Sequence, residues 1–158
     1  MFVDRTRRHQ TPESVSQIVA RLAGGTSVVL FAEGTSSDGN RVLPFRSALL
    51  GAVEEVAGRD GGSILIQPMS ITYTGQHGIP MGRQRRPLAA WYGAMDFLPH
   101  IKAFIECGAV DAVVCFGQPV DVNSTTDRKT VTRELETAVR RLLATTLRGR
   151  PLVGEPAK

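Results

Sequence analysis

The sequence predicts an α/β fold, with a largely parallel or mixed central sheet flanked by helices. Three observations carry this. Continuous apolar runs at 27–31, 63–73 and 109–116 have the length and composition of strands buried on both faces. Stretches at 11–23, 45–58 and 127–147 repeat their apolar residues every three or four positions, the period of an amphipathic helix. The two kinds of segment alternate along the chain, the pattern of helices layered on a sheet. At 158 residues and 42% apolar content the chain can bury a sizeable core but is short for two full domains. Residues 1–148 are expected to form one domain and 149–158 a flexible tail.

Phe2-Val3 reads as the end of a strand, because an apolar pair leads directly into Asp4-Arg5, and the fold is expected to start upstream of Met1. Thr11 caps the first helix and Pro12 takes its first position, where a missing N–H costs nothing. Val15, Ile18, Val19 and Leu22 form its apolar stripe, and Gly24-Gly25 ends it. The strand at 27–31 follows, then a polar, glycine-bearing loop over 33–44. From Phe45 a helix places Leu49, Leu50, Val53 and Val56 on one side and stops at Gly58, before the turn 59–62. A strand over 63–73, an irregular connection over 74–87 and a short strand over 88–92 come next. The stretch 96–107 reads as a helix, with Pro99 setting its start near that residue. After the strand at 109–116, the last helix puts Val131, Leu135, Ala138, Leu142 and Leu143 on its buried side.

Composition excludes several functions. No run of about 18 apolar residues is present, so no segment spans a bilayer unaided, and the first residues lack the apolar core of a secretory signal. Cys107 and Cys115 have neither metal-ligand spacing nor the number for a disulfide framework, which implies reduced thiols in a cytoplasmic setting, with a single disulfide as the lesser alternative. Gly34-x4-Gly39 opens like a phosphate-binding loop, but Asn40-Arg41 stands where Lys-Ser/Thr is needed; Gly-x-Ser-x-Gly does not occur. Aromatics are few and do not interleave with basic residues, so no nucleic-acid partner is expected. The net charge of +4 is concentrated in arginines at 5, 7 and 8, at 83, 85 and 86, and at 140, 141, 148 and 150, each group either a grip on phosphates and carboxylates or a solvated face.

The unit from Phe2 to Phe31 reads as strand, helix, strand. Such a crossover makes the strands parallel neighbours whose carboxyl ends share one rim, where open α/β sheets bind ligands. Arg5 would meet Glu33, Gly34 and Thr35 there. A guanidinium, a carboxylate and hydroxyls around one crevice suit a ligand carrying a phosphate and hydroxyls; a structural Arg5–Glu33 ion pair is the alternative.

Phe2-Val3-Asp4-Arg5 resembles the second sequence block of the glycerolipid acyltransferases, the family typified by the 1-acylglycerol-3-phosphate O-acyltransferases. Phe31-Ala32-Glu33-Gly34-Thr35-Ser36-Ser37 is similar to the third block, usually Phe-Pro-Glu-Gly-Thr-Arg-Ser, and Pro44-Phe45-Arg46-Ser47 to the sequence that follows it. Ile64-Leu65-Ile66-Gln67-Pro68-Met69 is similar to the fourth, an apolar strand ending in proline. Trp91-Tyr92-Gly93, with 95–100 after it, has the look of the bacterial branch. The resemblance implies a glycerol-3-phosphate acyltransferase-like fold, incomplete at its N-terminus. It implies transfer of a fatty acyl group from acyl-CoA or acyl carrier protein to a lysophospholipid such as 1-acylglycerol-3-phosphate, giving phosphatidate. Neither a cofactor nor a metal is implied, and the setting is the cytoplasmic face of the inner membrane. Arg5, Glu33, Gly34, Thr35, Arg46 and Pro68 would bind the acceptor, and Arg83, Arg85 and Arg86 would touch anionic headgroups.

Two departures stand out. Ser36 replaces the usual Arg, so Arg41 or Arg46 would supply that cation, and an ornithine-type acceptor becomes more favourable. The family's His-x4-Asp block, which supplies the base that takes the hydroxyl proton, has no counterpart: none of the three histidines, His9, His77 and His100, is followed five residues later by Asp. The base is therefore expected upstream of Met1 and the 158 residues by themselves are expected to be inactive. A non-catalytic module binding anionic lipid or phosphate is the rival reading.

Overall fold

The computed structural model describes residues 11–60, 62–123 and 125–149, with side chains at 11–15, 49, 59 and 60 left aside. The Phe2-Val3 strand, Arg5 and the tail at 150–158 lie outside the described residues. Helix α1 (Thr11–Ala23) ends as its glycines require. Gly25 takes φ 72°, its N–H donates to the Leu22 carbonyl (2.9 Å), and the Thr26 N–H donates to the Arg21 carbonyl (3.0 Å), a Schellman closure. Helix α2 (Ser47–Asp60) follows.

Strands β1 (Ile64–Ile66), β2 (Met69–Gln76) and β3 (Ile79–Pro80) come next, then the single helical turn α3 (Arg86–Ala89) and helix α4 (Phe97–Glu106). Strands β4 (Val110–Phe116) and β5 (Val120–Val122) lead into α5 (Arg128–Leu147). Asp127 caps α5, its carboxylate accepting from the Thr130 N–H at 2.9 Å.

The strand pairing corrects the largely parallel expectation: every ladder among the described residues is antiparallel. β1 runs against β5, Ile64 opposite Val122, and β2 against β4, Met69 opposite Phe116, with β3 on the far edge of β2. The Gly117 N–H donates to the Pro68 carbonyl at 2.8 Å between the two ladders, so they form one bent ribbon. The single strand expected over 63–73 breaks at Gln67-Pro68 because Pro68 has no N–H to place in a ladder, and the facing strand breaks opposite it at 117–119. β2 then runs on to Gln76 and turns at His77-Gly78 into β3, where an irregular connection was expected. Pro87 starts the α3 turn, which replaces the strand expected at 88–92.

Residues 27–31 are extended, yet have no ladder among the described residues. A strand needs a lateral partner, and the expected one, Phe2-Val3, is outside them. The segment still alternates: Val28 and Leu30 pack inward while Val29 and Phe31 are each 69% exposed.

Leu50 and Val53 of α2, Val122 of β5, and Val131 and Leu135 of α5 form the main core, with Ile64 and Ile66 packed against it. Ile18 and Val19 of α1 meet Ala52 and Val56 of α2 in a second cluster. The buried side of α5 is Val131, Thr132, Leu135, Val139 and Leu143; Ala138 and Leu142 are half-buried flanks. Leu135→Ala should cost about 2–5 kcal/mol by leaving a cavity between α2 and α5, read as a lower midpoint in urea unfolding.

Candidate functional site

The polar loop after residue 31 folds back so that its two ends meet. The Gly34 N–H donates to the Phe31 carbonyl (3.0 Å), closing a tight turn with Gly34 at φ 65°, and the Arg46 N–H donates to the Ala32 carbonyl (2.8 Å). The Arg46 side chain lies over Gly34: a Cβ at 34 would stand 2.7 Å from Arg46 Nε and 2.8 Å from its Cδ. Glycine is favoured there by its left-handed backbone, and its missing side chain leaves room for the Arg46 side chain.

Two carboxylates hold the returning backbone. Glu33 Oε2 accepts from the Leu43 N–H at 2.8 Å, and Glu136 Oε2, on α5, accepts from the Phe45 N–H at 2.8 Å. Arg140, one turn further along α5, pairs with Glu136 Oε1 at 2.6 Å, and its Nη2 lies 3.5 Å from the Val42 carbonyl. The loop tip is tied separately. Ser37 Oγ donates to the Arg41 carbonyl (2.7 Å), and the Asn40 N–H donates to Asp38 Oδ1 (3.1 Å). Arg86 donates to Asn40 Oδ1 (2.7 Å) and to the Met81 carbonyl (3.0 Å). The guanidinium of Arg86 is thus half-buried in a structural bridge, while Arg83 and Arg85 remain exposed.

Half-burial is the largest influence on Glu33, and it moves the carboxyl above its ordinary range; the Leu43 N–H and Arg140 oppose the rise and Glu136 adds to it. Asp38 moves the other way, chiefly because the Asn40 side chain donates to it.

An apolar cavity of about 390 Å³ opens beside this loop, lined among others by Leu30, Glu33, Arg41, Ile66, Pro68 and Leu135. Of the residues singled out from the sequence, Glu33, Gly34 and Arg46 come together in the loop, Thr35 is exposed beside them, and Pro68 is buried in the wall of the cavity that Glu33 also lines. Arg5 and His9 lie outside the described residues, so the Arg5–Glu33 meeting is not among the contacts seen. His77 sits exposed on the β2–β3 turn and His100 in the first turn of α4; neither lines the cavity. Sequence reasoning missed Glu136, and it placed Arg140 in a C-terminal arginine group without its link to this loop. The available signal was Glu136 following the buried Leu135, where a charge bordering the apolar stripe calls for a partner.

Gly34→Ala should destabilise the fold by about 1–2 kcal/mol from the left-handed backbone alone, and should displace Arg46 besides, measurable as a lower thermal midpoint. Glu33→Gln tests the raised carboxyl. With the folded value above the unfolded one, the native state takes up a proton more readily, so stability rises as pH falls through the folded value. The wild-type midpoint minus that of Glu33→Gln should therefore be more positive near pH 5 than at pH 8.

The Acyltransferase family model matches residues 1–72. The lyso-ornithine lipid O-acyltransferase of Brucella abortus is 48% identical over 154 residues, 96% of this chain and 57% of that protein. The protein of the same name from Rhizobium meliloti is 42% identical over 161 residues, 99% of this chain and 55% of its own length. That from Rhodobacter capsulatus is 34% identical over 121 residues, 76% of this chain and 41% of its own length. The chain thus spans little more than half the length of the first two relatives. No solved structure matches it. The blocks around Phe2 and Glu33 lie within the matched stretch, and the chain belongs to the glycerolipid acyltransferase family.

Proposed function

We propose that the chain forms the acceptor-binding part of an enzyme that moves a fatty acyl group from a thioester, acyl-CoA or acyl carrier protein, to the hydroxyl of a lyso-ornithine lipid. In that reaction the hydroxyl oxygen attacks the thioester carbonyl, an ester C–O bond forms, the C–S bond breaks, and the proton passes through a base to the departing thiol. The observation that carries the reading is the clasped Glu33–Gly34 turn beside an apolar cavity. The turn offers polar groups to a headgroup, and the cavity offers hydrocarbon contact to an acyl chain.

Acceptor type follows from charge. An ornithine headgroup carries an ammonium and a carboxylate. Glu33 has Oε1 beside the oxygen that Leu43 occupies, suited to the ammonium, and Arg46 or Arg41 suits the carboxylate. A glycerol phosphate acceptor, with phosphatidate as product, calls for a further cation where Ser36 stands. The names of the relatives point the same way. The chain supplies the wall against which the acceptor is held; neither His77 nor His100 is placed to serve as the base. Acceptors of this kind reside in a bilayer, so the reading places the enzyme at the cytoplasmic face of a membrane.

Titration of the purified chain with lyso-ornithine lipid in detergent micelles should give saturable binding, tighter than for lysophosphatidate. Glu33→Ala should weaken it about tenfold, equivalent to about 1.4 kcal/mol. Equal affinity of wild type and Glu33→Ala would remove Glu33 from the site, and a preference for lysophosphatidate would restore the phosphate acceptor. Catalysis by an intact enzyme that includes these residues, with an acceptor KM raised by the same change, separates this reading from a binding module.

A further inference from the structure

Helix α4 is the anomaly of this surface. Its sequence, Phe97-Leu98-Pro99-His100-Ile101-Lys102-Ala103-Phe104-Ile105-Glu106, is strongly apolar, yet it contains no buried residue. At roughly 100° per residue, Phe104, Phe97, Ile101, Ile105 and Leu98 share an arc of about 120°, the width that a surface helix normally turns to the core. Here Leu98 is 75% and Ile105 72% exposed. The neighbouring Leu88, Met95 and Ile79 are exposed as well, and Trp91 stacks edge-on against Phe97 with ring centroids 5.2 Å apart. None of the described elements covers this face.

We propose that α4 and the segment before it form a docking surface for an anionic lipid bilayer, with the helix lying in the plane of the interface. The choice of occupant rests on the acyltransferase reading above and on charge. From Ile79 to the end of α4 the exposed cations Arg83, Arg85 and Lys102 outnumber the exposed carboxylates Asp96 and Glu106, and Glu106 lies 3.8 Å from Lys102. Lys102 follows the apolar arc directly beyond Leu98, the position from which a long cationic side chain reaches headgroups while its stem stays in hydrocarbon. Ten residues make a helix of about 15 Å, half the thickness of a bilayer core, and no helix among the described residues is long and apolar enough to cross one. Lying in the interface buries the arc; spanning does not.

Co-sedimentation of the purified chain with vesicles of phosphatidylcholine and phosphatidylglycerol, free of any lysolipid, tests this. Wild type should partition onto the vesicles, and 0.5 M NaCl should weaken it several-fold. Leu98→Ser/Ile105→Ser should partition at least tenfold less while keeping the wild-type melting temperature, because both side chains are exposed. Arg83→Gln/Arg85→Gln, a second exposed pair, should lose the salt-sensitive part alone. Absence of wild-type binding, or binding unchanged in Leu98→Ser/Ile105→Ser, overturns the proposal. So does a wild-type dimer that the serine pair dissociates, which makes the face a contact between copies. Lysolipid affinity in detergent is measured separately, so failure here leaves the acceptor assignment standing, and the reverse.

Discussion

The backbone between Val42 and Arg46 is held by acids that belong to distant parts of the chain, and the site is organised around that clasp. Glu33 takes the Leu43 N–H and Glu136 takes the Phe45 N–H, so neighbouring peptide groups of one segment answer to the loop on one side and to α5 on the other. Arg140 neutralises Glu136 and keeps two carboxylates from facing each other unscreened. With the segment fixed, the Arg46 side chain lies over residue 34, whose left-handed backbone favours glycine. The Glu-Gly-Thr sequence therefore acts as a folding device in its own right.

The same clasp sets the chemistry available to Glu33. Half-burial raises the cost of its charge, and a donor at one oxygen returns part of that stabilisation. A carboxyl group in this balance responds strongly to whatever approaches its remaining oxygen: a cation stabilises it, a second anion does not. The apolar lining alongside sharpens the contrast, because it offers that carboxyl few polar partners on one side.

Helices were legible in the sequence because their signals are local. The Thr11-Pro12 start and the Gly24-Gly25 stop are each confined to one turn of sequence, and α1, α2, α4 and α5 fall within a few residues of expectation. The sheet was not legible. Apolar runs mark where strands lie but not which way their partners point, and the bend at Pro68 and Gly117 joins two ladders that no pattern in either strand reveals alone. The site was half legible. Glu33, Gly34 and Arg46 stand in a recognisable sequence, whereas Glu136 and Arg140, spaced one turn apart like countless solvated pairs, gain meaning only from what α5 packs against. Arg86 illustrates the converse: drawn from an arginine cluster that looked free, it serves as a bracket for Asn40.

The bond from Phe45 to Glu136 joins residues 91 apart in the sequence. On a ribosome adding about 5–20 residues per second, the loop emerges several seconds to tens of seconds before the acid that secures it. Throughout that interval the loop holds only one of its two fastenings, and Leu50 and Val53 lack the α5 side chains that later pack on them. Translation therefore finishes this corner of the fold last, and a chain stopped short of the final helix would show apolar α2 residues to chaperones and leave the Val42–Arg46 segment half-fastened.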